Sequence, residues 1–298
     1  MKIRILVGIF VFVTAATAQN TNTSAAVQRM QTIVKSYTAG NSFMGTVLVA
    51  EGDRILLSQG FGMASLEWNI PNDAETKFKV CSLTKQFTAA LVLLLEQDGK
   101  LNIDDPVSKY LSDAPTSWGM ITLRNLLDHT SGIPDLIDEK EFATWSMSPH
   151  TPEEQLATFR NKPLEFQPGA RFEYSNSNYV VLGIVIEKVS GHRYEALLRD
   201  RILEPLRMEN TGLDTDELVL PRRAEGYGQG RNGLVAARSM SMSVPWAAGS
   251  LYSTTGDLLH WEHGLFGGKI LNDAELKAMT RRAKGTMGWA WKYATQMG

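Results

Sequence analysis

The chain has 298 residues, 43% of them apolar and 21% charged, with a formal net charge of −2. That supply of apolar residues can bury a sizeable core, and no block of like charge marks a disordered tail, a nucleic-acid partner or an anionic membrane surface. Cys81 is the single cysteine, which excludes an intrachain disulfide.

Met1-Lys2-Ile3-Arg4 makes a basic start, residues 5–13 are apolar, and Ala16-Thr17-Ala18 supplies the small residues of a cleavage site. Residues 1–18 therefore read as a secretory signal peptide, too short to span a bilayer. Gln19 stands where a lipid-anchored protein would want Cys. Residues 19–298 are accordingly expected as one soluble domain, periplasmic or secreted, with no membrane anchor.

A first helix is expected at about 24–37. Residues 45–50 and 54–59 flank the turn Glu51-Gly52-Asp53 and read as a β-hairpin. Residues 84–97 are apolar on nearly all sides, which predicts a helix buried in the middle of the fold and ended by Asp98-Gly99. Asn102-Ile103-Asp104-Asp105-Pro106 is a turn that opens a helical region over about 106–191. Its final helix is expected to start after Tyr179 and to close at Ser190-Gly191. The glycine-rich segment 226–233 reads as a surface loop. Thr255-Gly256-Asp257 is expected to cap a short helix through Leu265, and residues 287–291 read as a further strand.

Ser82-Leu83-Thr84-Lys85 sits at the start of the buried helix. Positions i and i+3 of a helix share a face, so a hydroxyl and an amine lie one turn apart. A serine is a poor nucleophile until a neighbour takes its proton. A partly desolvated lysine has a lowered pKa and can be that neighbour, or tune another. The bland alternative is an ordinary serine N-cap. Tyr174-Ser175-Asn176 places a phenol and an amide two residues apart, after the turn Gln167-Pro168-Gly169-Ala170-Arg171-Phe172. Between these motifs lies Leu126-Leu127-Asp128-His129-Thr130-Ser131-Gly132-Ile133-Pro134. Residues 182–191 and 247–258 follow.

Together and in this order, these stretches resemble the serine β-lactamase-related superfamily, in the branch of class C β-lactamases, serine D,D-carboxypeptidases and esterases of the same fold. The resemblance runs from about Gly45 to Trp291. It implies an α/β (α+β) fold, an antiparallel sheet flanked by helices with a helical insertion subdomain. It also implies Ser82 as the acylated nucleophile, with Lys85 and Tyr174 as its base, singly or together. Asn176 would hydrogen-bond Lys85 and the substrate's amide or acyl oxygen, and the Ser82 N–H would form half of an oxyanion hole. The implied substrate is a small-molecule amide, lactam or ester, with β-lactam hydrolysis ranked first, D,D-peptidase or esterase activity next, and peptidoglycan stem peptides as possible partners. No cofactor and no metal are expected.

The family's third motif, Lys-Thr-Gly or His-x-Gly, would follow the Gly288-Trp289 strand. No such triplet occurs there, and Lys284-Gly285-Thr286 has the wrong order. The expectation is a C-terminally incomplete member, poorly soluble and weakly active as written, or else a binder that does not turn substrate over. Asp128-His129 with Ser131 is read as a structural turn and not as a triad, because no G-x-S-x-G elbow occurs. His260 and His263 are read as surface or core residues, Cys81 as a small residue before the nucleophile, and Trp118 and Trp246 as possible walls of a substrate groove. Arg207 takes a place where the family often has glycine.

Overall fold

The computed structural model describes residues 14–39 and 43–281. Most of the expected signal peptide, the strand over 287–291 and Lys284-Gly285-Thr286 lie outside the described residues. The described chain is mixed α/β, with antiparallel sheets among helices, and divides into two compact units between Thr76 and Lys77. No helix among the described residues is long and apolar enough to cross a membrane.

In the first unit, helix α1 (Thr14–Thr38) begins ten residues before the expected start. Strands β1 (Gly45–Glu51) and β2 (Arg54–Phe61) pair in register from Gly45↔Phe61 to Glu51↔Arg54, with an irregularity between Val49 and Ala50. The two-residue turn works because Gly52 takes φ 58°, a left-handed conformation that costs glycine little. Strands β3 (Met63–Ser65) and β4 (Ile70–Pro71) form a second antiparallel pair, and Asn72 Nδ2 donates to the Phe61 carbonyl at 2.9 Å beside it.

The second unit is organised around α2 (Thr84–Gln97). Every residue from Thr84 to Leu95 is buried, which matches its all-round apolar sequence. Each such Leu or Val side chain contributes about 1.5–3 kcal/mol on burial. Strand β5 (Phe78–Lys79) leads to it through a single 3-10 turn (Cys81–Leu83). From there to residue 203 the described chain is helices and turns. They are α3 (Leu123–Leu127), α4 (Phe142–Trp145), α5 (Pro152–Phe159), α6 (Asn176–Ser190) and α7 (Tyr194–Leu198). Capping boxes Thr122/Asn125 and Thr151/Glu154 start α3 and α5, and Gly191 at φ 73° closes α6 at the expected residue.

Beyond the helices, β6 (Gly212–Leu213) joins β5 and the later β9 (Leu251–Ser253) in a sheet of order β5-β9-β6. The segment expected as a loop is instead a hairpin, β7 (Tyr227–Gly230) with β8 (Gly233–Ala236). Its glycines suggest a loop by composition, but the turn is only Arg231-Asn232, and Gly233, at φ 124°, takes the first position of the returning strand opposite Gly230. Helix α8 (Trp246–Gly249) and strand β9 (Leu251–Ser253) follow. Helix α9 (Thr255–Phe266) is capped by Thr254, whose Oγ1 accepts from the Asp257 N–H at 3.2 Å, and α10 (Asp273–Thr280) ends the described chain. Arg207 sits at φ 56°, a left-handed conformation that glycine adopts more readily than a residue with a side chain.

Helices α2, α6 and α8 meet in one core. The approach of α6 and α8 is tight at Gly183, where an added Cβ would stand 2.5 Å from Trp246 Cζ3 and 2.8 Å from Ala247 Cβ. Gly183→Ala is therefore expected to cost roughly 1–3 kcal/mol by overpacking. Urea unfolding would show it as a lowered midpoint at unchanged slope, and an unchanged midpoint would refute this account of the α6–α8 contact.

Candidate functional site

Ser82 lies in the 3-10 turn that runs into α2, and Lys85 lies in the first turn of that helix. Cys81 precedes them at φ 46°, an uncommon conformation for a residue with a side chain, and is exposed. The turn is held to β9: Val80 N–H donates to the Leu251 carbonyl at 2.9 Å, and Leu251 N–H donates to Thr84 Oγ1 at 3.1 Å. Ser82 does not cap the helix. The N-cap is Leu83, without a side-chain bond, and the Ser82 hydroxyl points elsewhere.

Ser82 Oγ is 2.8 Å from the Tyr174 hydroxyl and 3.2 Å from Lys85 Nζ. Lys85 Nζ also donates to Asn176 Oδ1 at 2.8 Å and to the Ala248 carbonyl of α8 at 2.7 Å. The four residues singled out in the sequence thus meet at one point. The Lys85 ammonium stands 4.9 Å from the centre of the Tyr174 ring and 5.4 Å from that of Tyr179. Burial pushes the Lys85 pKa down from 10.5 to about 7, against the opposing pull of Asp135. Near neutrality the amine is therefore available in both protonation states.

The expected start of α6 after Tyr179 is corrected, since the helix begins at Asn176. Its N-cap, Ser175, makes no side-chain cap bond. Two groups remote in sequence serve that end instead. Asp135 Oδ2 accepts from Asn176 Nδ2 at 2.9 Å, and His129 Nδ1 accepts from the Ser175 N–H at 3.2 Å. A carboxylate at a helix N-terminus is favoured by the exposed N–H groups and the dipole.

Tyr174 is carried in by a backbone ladder between the 129–132 turn and the 165–173 segment. Glu173 N–H donates to the His129 carbonyl at 2.9 Å, Gly169 N–H to that of Thr130 at 2.8 Å, and Glu165 N–H to that of Gly132 at 2.8 Å. The His129 ring lies 4.5 Å from the Tyr174 ring and 5.2 Å from that of Tyr179. Burial, helped by Lys85, pushes its pKa from 6.5 to about 3, so the ring is neutral. With Nδ1 accepting, the proton is on Nε2. The Asp128-His129-Thr130-Ser131 turn is thus a structural support, as read from the sequence, but it braces Tyr174 and α6 as well as its own backbone.

Asp135 was not singled out in the sequence. The available signal was a carboxylate inside the apolar run Ile133-Pro134-Asp135-Leu136-Ile137. The Ala248 carbonyl had no signal, because any residue supplies one. Trp118 is corrected: it is fully buried, stacked with Phe159 at 6.3 Å, and lines no groove. Trp246 is buried against Tyr194 and reaches the wall of a cavity of about 630 Å³ beside Arg193 and Asp214. His260 Nδ1 lies 3.3 Å from the Arg207 carbonyl, and no cluster of His, Cys, Asp and Glu suited to a metal ion occurs among the described residues.

A family model described as Beta-lactamase matches residues 30–294. A putative penicillin-binding protein, PbpX, of Bacillus subtilis (strain 168) is 32% identical over 246 residues, covering 83% of this chain and 61% of the relative. Among solved structures, a penicillin-binding protein from Bacillus halodurans superposes with TM-score 0.77 at 28% identity, over 87% of this chain and 82% of that one. A D-amino acid amidase from Ochrobactrum anthropi SV3, complexed with D-phenylalanine, gives 0.76 at 27% identity, over 87% and 75% of the two chains. The chain spans 61%, 49% and 45% of the length of three curated relatives that it matches.

The neutral, buried His129 has a consequence for stability. Its folded pKa of about 3 lies below the ordinary 6.5, so the unfolded chain binds the extra proton between those values. Stability contributed by the neutral ring is full above pH 6.5 and falls by about 1.4 kcal/mol per pH unit on acidification towards 3. His129→Gln is expected to flatten this slope in urea unfolding followed from pH 7 to 4, and an equal slope in both proteins would contradict the buried neutral ring.

Proposed function

Because the chain belongs to the β-lactamase family, we propose that it is a serine hydrolase working through an acyl-enzyme on Ser82. The observation that carries this reading is the environment of Lys85 Nζ. A neutral amine has two N–H groups and one lone pair. The Asn176 Oδ1 and Ala248 carbonyl acceptors hold two N–H groups, and the third points to Ser82 Oγ, so the amine that has lost that third proton turns its lone pair to the Ser82 hydroxyl.

In this mechanism Ser82 Oγ attacks the substrate carbonyl while its proton passes to Lys85. The tetrahedral intermediate collapses as the bond to the leaving group breaks. The Tyr174 hydroxyl gives that group a proton, and the extra proton on Lys85 restores the phenol, so the pair ends acylation as it began. Water then attacks the ester under the same two groups, and the departing Ser82 oxygen is reprotonated. General acid–base transfer of this kind contributes about 10²–10⁴-fold.

The substrate class is an amide, lactam or ester. A D-amino-acyl amide is a leading member, supported by the likeness to a D-amino acid amidase and to penicillin-binding proteins. Export after cleavage at Ala18 belongs to the same proposal, and N-terminal sequencing of the expressed protein tests it.

Intact-mass measurement after exposure to a penicillin, a cephalosporin, a p-nitrophenyl ester and D-phenylalanine amide is expected to show an adduct or turnover with at least one. Ser82→Ala should abolish both. An adduct that survives Ser82→Ala and disappears in Cys81→Ala would move the nucleophile to the thiol. Lys85→Ala and Tyr174→Phe should each slow acylation by about 10²-fold or more, and the double variant by far less than the product. With Lys85 at about 7, kcat/KM should rise with pH through neutrality and fall below it as the amine is protonated.

A further inference from the structure

Asp135 lies one residue past the Ile133-Pro134 pair and is only 6% exposed. Its Oδ2 accepts from Asn176 Nδ2 at 2.9 Å, and its Oδ1 accepts from the Ile137 N–H at 3.3 Å. The amide of Asn176 turns its other end, Oδ1, to Lys85 Nζ at 2.8 Å. Carboxylate, amide and amine therefore form one line, Asp135–Asn176–Lys85, that ends at the Ser82 hydroxyl.

An asparagine amide is a donor at one end and an acceptor at the other, and its neighbours decide which end faces which way. An ionised carboxylate only accepts. It therefore obliges Asn176 to send its NH₂ to Asp135 and its carbonyl oxygen to Lys85. With the amide reversed, an NH₂ would face the ammonium, and the charged form of Lys85 would lose an acceptor in a buried place where such losses are expensive. The carboxylate also acts on Lys85 directly by charge, against the effect of burial.

We infer that Asp135 is a positioning residue that fixes the Asn176 amide and thereby sets the proton affinity of Lys85. This rests on the reading of Lys85 as the base for Ser82. The other titratable groups facing Lys85 among the described residues are Cys81 from the 3-10 turn, His129 from the 129–132 turn, Tyr174, and Tyr179 of α6. Replacing Asp135 leaves all four in place. Asp138 is the neighbouring acid on the side of Asp135 itself.

Asp135→Asn keeps the shape but removes the charge. It also presents one NH₂ where two donors, Ile137 N–H and Asn176 Nδ2, now require acceptors. The test is the titration of Lys85 followed by the ¹³Cε shift in lysine-labelled protein, the resonance being identified by its loss in Lys85→Met. The midpoint is expected to fall by about one pH unit in Asp135→Asn. In Asp135→Glu, which retains the charge, at least half of that shift should be recovered. A mere helix-capping role would lower the melting temperature of Asp135→Asn without moving Lys85, and a folded variant with an unmoved midpoint overturns the inference.

If Asp135→Asn does not fold, the reciprocal measurement serves. The Asp135 carboxyl midpoint should be higher in Lys85→Met than in the wild type by a similar amount, and an equal midpoint overturns the inference equally. The acid limb of kcat/KM separates the two readings. A limb that stays put while the Lys85 midpoint moves removes Lys85 as the base but leaves the Asp135 assignment standing.

Discussion

The burial of one amine governs the centre of this molecule. Lys85 is enclosed by α2, α6 and α8, and each of its three hydrogen-bond positions is taken by an atom from a different part of the chain. An unpaired buried charge is costly, so the three elements must be placed together before the lysine can be tolerated at all. The Gly183 contact, the Thr84–Leu251 bond and the Asp135–Asn176 bond serve that requirement as much as they serve compactness.

The depression of the Lys85 proton affinity consequently comes from packing, through desolvation, and the neighbouring Asp135 carboxylate limits how far it goes. His129 shows the same rule with the opposite use. Its ring is kept neutral by the same burial and stands against Tyr174 as an apolar brace that also accepts one backbone N–H. Two basic side chains in one core are thereby given different tasks. One stays within reach of a proton at neutral pH, while the other is taken out of proton chemistry.

What could be read in the sequence was local. The spacing of Ser82 and Lys85 was legible because the apolar run that follows is too long for a strand and stops at Asp98-Gly99, which marks a buried helix without any help from periodicity. The hairpin of β1 and β2 was legible from Gly52, whose conformation the turn requires. The start of α6 was not, because Ser175-Asn176-Ser177-Asn178 offers several cap-type residues in a row, Ser175 makes no side-chain cap bond, and the groups that serve that end, Asp135 and His129, lie about forty residues earlier in the chain. The β7–β8 hairpin was hidden by its glycines, which composition assigns to loops while the register places Gly228, Gly230 and Gly233 in the paired strands on either side of Arg231-Asn232. Cys81 was read as a small filler before Ser82. Its left-handed backbone adds that the turn presenting the hydroxyl is held out of the common conformations.

The third ligand of Lys85 is a main-chain carbonyl, and that shapes how the site can vary. No substitution at Ala248 removes its oxygen, so residue-by-residue replacement would score that position as tolerant even though its atom touches the amine. The constraint is displaced onto residues with no hydrogen bond to Ser82 or Lys85: Gly183, which lets α8 lie close to α6, and Trp246, whose ring fills the space beside it. Selection for a different reactivity at the serine can therefore be expected to leave its marks there, on the packing behind the site, as changes in size rather than in polarity.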